Sequence, residues 1–186
     1  DVPGRVLLVT GKEEFLGERT VGAVRAAVRQ HDPEAEISEA QAGDLTMATL
    51  GEMAAPSLFS STRCVVVRGL ENLPDESIDG VLDYASAPVE DVALVLVHGG
   101  GQKGSGLLTK LRKLPGVTEH KTVDVKPSEF AGFVASEVRQ LGSSIDESAA
   151  EALVQAIGHD LRALAGAAHQ LTNDFLGEAL TVDKVK

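Results

Sequence analysis

The spacing of hydrophobic positions changes once along this 186-residue chain. Up to about residue 125, short continuous apolar runs alternate with segments of helical period. Arg5–Thr10 is a continuous apolar run, the pattern of a strand buried on both faces. Phe15, Leu16, Val21, Val24 and Val28 then recur at helical spacing. Residues 35–40 alternate weakly and predict a second strand, and 45–53 a helix that Pro56 closes. Residues 63–67 and 91–97 predict two buried strands, with a helix over 75–85 between Pro74 and Pro88. A glycine-rich loop, 98–106, leads into a helix around 107–114, and the alternation over 117–125 predicts a fifth strand at an edge. Strands alternating with helices predict a doubly wound, mostly parallel five-stranded α/β sheet.

After Lys126-Pro127 only the helical period remains. Residues 128–140 carry Phe130, Phe133, Val134 and Val138 on one stripe, with Ser128 and Pro127 suited to the start. Gly142 breaks the pattern, and helices are predicted over 146–157 and 160–176, with the beginning of another at 181–186. The expected organisation is an α/β domain over 1–140 and a small helical domain over 141–186, in a chain that reads as continuing beyond Lys186.

One stretch departs from the pattern. Between the helix at 45–53 and the strand at 63–67, Leu58 and Phe59 stand in a connection otherwise made of Ala, Pro56, Ser57, Ser60, Ser61 and Thr62. Two large hydrophobes in a polar connection either tuck beneath the preceding helix as a satellite of the core or stay exposed as a docking surface.

Composition narrows the functions open to the chain. The formal net charge is −11, so a phosphate backbone is repelled by the molecule taken as a whole and any nucleic-acid contact must be local or belong to a partner. With five Phe, one Tyr and no Trp, an aromatic stacking platform for single strands is not expected. Cys64 is the single cysteine, which excludes an internal disulfide and suits a reducing, cytoplasmic setting. No apolar stretch approaches the roughly 20 residues of a membrane span, and residues 1–4 do not resemble a signal peptide.

Candidate catalytic chemistry is thin. Gly11-Lys12 follows the first strand as a phosphate-binding loop would, but Val6 stands where the pattern needs its first Gly and Glu13 where it needs Ser or Thr. The third strand ends in Arg68-Gly69 rather than in the acidic residues an ATPase uses to hold metal and activate water. Gly99–Gly104 satisfies G-x-G-x-x-G after a strand and before a helix, with Asp124 twenty residues beyond its last Gly. That leaves two readings, a glycine-rich connection or a dinucleotide-binding fingerprint in an enzyme fragment. His31, His98, His120, His159 and His169 lack metal-ligand spacing, and no nucleophile is paired with a base. Lys103, Lys110, Arg112 and Lys113, followed by Lys121 and Lys126, form a basic cluster in an acidic chain. It reads as a solvated helix face or as a contact with DNA or an acidic partner.

Residues 9–16 (VTGKEEFL), Pro56–Ser60 with 63–67 (RCVVV), the strand over 93–97, 126–130 (KPSEF) and 158–164 (GHDLRAL) together resemble the delta subunit of the bacterial DNA polymerase III clamp loader. The resemblance runs over nearly the whole chain. It implies an AAA+-like α/β domain without a working phosphate loop, followed by a helical lid, with the family's C-terminal collar domain lying beyond Lys186. It also implies a subunit with no ATP hydrolysis and no cofactor of its own, which binds the ring-shaped sliding clamp (beta) and helps hold one interface open. The other clamp-loader subunits, tau/gamma and delta prime, would be met mainly through the collar, primed DNA only within the complex, and no membrane at all. The family's clamp-docking plug maps here onto Leu58 and Phe59, supported by Pro56 and Ser57. Pro56 stands where some members carry a further large hydrophobe.

Overall fold

The computed structural model describes residues Val2–Lys186. Its elements fall into two compact units, residues 1–124 and 125–186.

The first unit is a five-stranded parallel sheet with helices on both faces. Strands β1 (Val6–Thr10), β2 (Glu36–Gln41), β3 (Arg63–Arg68), β4 (Val92–His98) and β5 (Val117–Lys121) lie in the order β2-β3-β4-β1-β5. Every pairing is parallel, with Val6 opposite both Leu94 and Val117, and Arg63 opposite both Glu36 and Val92. The continuous apolar runs occupy the middle of the sheet: Cys64–Val67 and Leu94–Leu96 are buried. The two weakly patterned segments, β2 and β5, are its edges, where one side of each strand is uncovered and alternation reappears.

Helix α1 (Glu14–His31) covers one face, setting Val21, Val24 and Val28 on Val9, Cys64, Val66 and Val95. Helices α2 (Met47–Ala54), α3 (Asp75–Ser86) and α4 (Ser105–Leu111) cover the other, where Leu50, Val81 and Leu111 join Leu8, Val65, Leu94 and Leu96. Thr46 starts α2 with a reciprocal cap: its hydroxyl accepts the Thr49 N–H at 3.1 Å, and its own N–H is taken by the Thr49 hydroxyl at 3.0 Å.

Strand β5 is shorter than its alternation predicts. Its partner β1 ends at Thr10, opposite Lys121, and after one further bond from the Thr122 N–H to the Thr10 carbonyl (2.8 Å) no strand continues the ladder. Helix α4 begins at Ser105, two residues before the predicted start, because left-handed Gly104 already turns the chain into it.

The second unit is helical. Helix α5 (Phe130–Gln140) packs against α6 (Glu147–Ile157) and α7 (Leu161–Asp174), and the short α8 (Val182–Val185) against α6. Val134 and Val138 on α5, Ala149 and Leu153 on α6, and Leu161, Leu164 and Ala168 on α7 are buried. The Phe130 ring stacks on His159 in the turn before α7, with centroids 4.6 Å apart. The structure therefore divides at residues 124 and 125 rather than at 140 and 141. The sequence reading assigns α5 to the α/β domain, but its apolar stripe is buried by the helices that follow it.

Candidate functional site

Leu58 and Phe59 are the most exposed large hydrophobes on the chain, with 98% and 80% of their surfaces accessible. The reading in which they tuck beneath α2 is not what the fold adopts. They stand at the tip of the connection from α2 to β3, and the polar residues around them make that connection a hydrogen-bonded turn. The Ser57 N–H donates to the Ser60 carbonyl at 2.9 Å, and the Ser57 hydroxyl donates to the same carbonyl at 3.0 Å. The Ser57 oxygen in turn accepts the N–H groups of Phe59 (3.3 Å) and Ser60 (3.2 Å). Serine here satisfies the backbone that a tight turn leaves unpaired. Ser57 and Ser60 thus close the turn, and the two apolar side chains at its tip stay exposed. Pro56, the other support suggested by sequence, is exposed at the end of α2.

Two residues anchor this turn to the body. Arg63, buried at the start of β3, donates from Nε to the Ala55 carbonyl at 2.7 Å and pairs with Glu36 on β2, so a charge withdrawn from water is compensated. On the other side the Ser60 hydroxyl donates to the Asp32 carboxylate at the end of α1, while its oxygen accepts the Thr62 N–H at 2.9 Å. The second Asp32 oxygen accepts the Glu34 N–H at 2.9 Å. The Ser60 hydroxyl, followed by the Glu34 N–H, holds the Asp32 carboxyl below its ordinary value. Asp32 and Arg63 are the site residues that sequence reasoning did not find. Asp32 lies 28 positions from Ser60, and nothing in the local pattern at either end signals the contact.

The two glycine motifs lie against each other. Gly11 and Gly100 lie so close that a Cβ on Gly100 would come within 2.9 Å of the Gly11 Cα and carbonyl carbon. Gly100 also has φ +80°, a conformation L side chains rarely adopt. The first two glycine donors of the loop are occupied: the Gly100 N–H goes to His98 Nδ1 at 3.0 Å and the Gly99 N–H to a Glu71 carboxylate oxygen at 3.2 Å. Because Nδ1 accepts, His98 carries its proton on Nε2, which donates to the Lys103 carbonyl at 2.7 Å. Gly101, the middle glycine of the G-x-G-x-x-G pattern, has nothing within 4 Å of a Cβ, so no close approach explains it.

The cleft at the carboxyl ends of the strands, where open α/β sheets usually bind ligands, has a volume of about 290 Å³ and is lined by Glu13, Glu14, Glu18 and Glu71. Its lining guanidinium, Arg68, is paired with Glu18 and Glu39. A phosphate placed there would meet carboxylates and find its guanidinium already engaged. Glu13, where a phosphate loop needs a hydroxyl, instead caps α1 by accepting the Phe15 N–H at 3.2 Å.

The basic residues do not form one patch of available charge. Arg112 is held by Glu119 in a two-pronged pair, both N···O distances 2.7 Å, and Lys103 donates to Asn72 at 2.7 Å. Lys110 and Lys113 stand exposed. Glu119, which also accepts the Thr10 hydroxyl at 2.6 Å, is pulled down to about 2, first by the Arg112 hydrogen bond. Cys64 is buried, and burial pushes its thiol up to about 11, away from reactivity. Among the described residues no group of His, Cys, Asp or Glu is arranged to hold a metal ion, and no helix is long and apolar enough to cross a membrane.

No protein-family model and no curated protein matches the sequence. Solved structures do. The DNA clamp loader delta protein of Bacillus subtilis superposes with a TM-score of 0.73 at 20% identity, covering 97% of this chain and 57% of that one. The fold is thus similar to that of this delta protein. The RuvB Holliday junction branch migration motor of Thermotoga maritima matches with a TM-score of 0.55 at 16% identity over 100% of this chain and 60% of that one. A DNA polymerase III gamma subunit-related protein from the same organism matches with a TM-score of 0.52 at 14% identity, over 93% and 68%. The resemblance to delta and the AAA+-like α/β architecture read from the sequence are thus found in the structure. The chain spans somewhat under three fifths of the delta protein's length.

Proposed function

We propose that this chain is the AAA+-like and lid portion of a clamp-loader delta subunit, which binds a sliding clamp by inserting Leu58 and Phe59 into an apolar pocket and helps to open the ring for loading onto primed DNA. The observation that carries this reading is the outward display of the pair, 98% and 80% accessible, on a turn closed by hydrogen bonds between Ser57 and Ser60. Burying a Leu and a Phe contributes roughly 1.5–3 kcal/mol each before the cost of association. A contact of that size suits a partner that must be gripped and then released. The subunit works without hydrolysing ATP, in the cytoplasm, beside subunits that do. Its contacts with tau/gamma and delta prime are carried mainly by a collar domain, and it meets primed DNA only inside the assembly, where Lys110 and Lys113 are the exposed candidates for contact.

The deciding experiment is surface plasmon resonance against a purified bacterial sliding clamp. Saturable binding that disappears in a Leu58→Ala, Phe59→Ala double variant supports the reading. Absence of binding by the parent chain, or undiminished binding by the variant, overturns it.

A further inference from the structure

We infer that Asp32 and Ser60 are positioning residues for the docking pair, holding the turn that carries Leu58 and Phe59 in its projecting form before any partner arrives. The inference rests on the docking role proposed above and adds to it how the pair is kept ready.

A connection of this length carrying two exposed hydrophobes has an obvious alternative to projecting, which is to collapse onto the nearest apolar surface. What opposes collapse is a set of bonds that converge on Ser60. Its carbonyl takes both the N–H and the hydroxyl of Ser57, its N–H is accepted by the Ser57 oxygen, and its own oxygen takes the Thr62 N–H. These bonds close the turn on itself, and none of them reaches a helix or the sheet. The Ser60 hydroxyl supplies the link outward, to the Asp32 carboxylate, and Asp32 is fixed at the end of α1, where its N–H continues the helix by donating to the Val28 carbonyl at 2.9 Å. Asp32 is thus the connection between the turn and the helix that packs on the sheet. Arg63, holding the Ala55 carbonyl at the opposite end of the connection, leaves residues 56–62 spanning two fixed points. A partner that meets a turn already ordered does not pay to order it, and preorganisation of this kind appears as affinity.

The test uses two readouts on the same chain: amide hydrogen exchange at Phe59 and Ser60 in the free protein, and affinity for the purified sliding clamp by surface plasmon resonance. Ser60→Ala and Asp32→Ala are each expected to speed exchange at those two amides while leaving β3 protected, and to weaken clamp binding about ten-fold. Ser60→Thr, which keeps the hydroxyl, is expected to match the parent in both. Unchanged exchange, or faster exchange with unchanged affinity, overturns the positioning role. So does a rise in exchange throughout β3, which would make the bond a general support of the fold. If Ser60→Ala loosens the turn but the parent chain fails to bind clamp at all, the docking reading falls and takes this role with it.

Discussion

Gly11 and Gly100 face each other with no room for a side chain between them: a Cβ on Gly100 would sit 2.9 Å from the Gly11 Cα. Each glycine belongs to a motif that on paper binds phosphates, and the fold uses both for the close passage of the turn after β1 beneath the turn after β4. Gly100→Ala is therefore expected to cost about 1–3 kcal/mol, from a left-handed φ and a backbone clash that cannot relax. Gly101→Ala, with open space around it, is expected to be neutral within about 0.5 kcal/mol. Urea denaturation of the two variants checks both, and the reverse order would restore the dinucleotide reading.

A cleft lined by Glu13, Glu14, Glu18 and Glu71 should reject nucleotides. ATP with Mg²⁺, NAD or NADP at millimolar concentration is expected to leave the melting temperature unchanged, since a ligand that binds the native state must raise it. A rise with a dinucleotide would favour the enzyme-fragment alternative, and ATP turnover would favour an active ATPase.

Leu58 and Phe59 contribute little to the stability of the free chain, because their surfaces are as wet folded as unfolded. The double alanine variant should melt within a degree or two of the parent while losing clamp binding. Leu94→Ala, in the middle of β4 and 1% exposed, is expected to cost about 3–5 kcal/mol. A comparable loss in the loop variant would mean that the pair packs into the body in solution.

The pair of Arg112 and Glu119 gives stability a defined acid limb. The folded-state value of Glu119 lies near 2, below its unfolded value of 4.5, because Arg112 and then the Thr10 hydroxyl favour the ionised form. Its contribution is therefore complete above about pH 4.5 and is lost as pH falls toward 2. Glu119→Gln is expected to lower stability by about 1–2 kcal/mol at pH 7 and to lose less than the parent on acidification. Thermal melts at pH 7 and pH 3 measure the difference.

Helix α5 shows where periodicity stops being informative. Its stripe of Phe130, Val134 and Val138 states that one face is buried but not by what, so the sequence alone groups it with the α/β domain while the fold packs it with α6 and α7. Strand β5 shows the same in miniature: alternation extends to Val125, but pairing ends where Thr10 ends β1.

What the sequence determined by itself is what depends on neighbours in the chain. The strand and helix periods, the acids that disable the phosphate loop and the oddity of Leu58 and Phe59 are all local, and together they are enough to show the class of fold and the place to look. What only the tertiary structure decided depends on residues far apart. The bond from Ser60 to Asp32, the contact of Gly11 with Gly100, the use of His98 to occupy a donor that would otherwise await a ligand, and the outward direction of two hydrophobes follow from which strand lies beside which. That order is chosen by the packing of the whole sheet, and no short stretch of sequence encodes it.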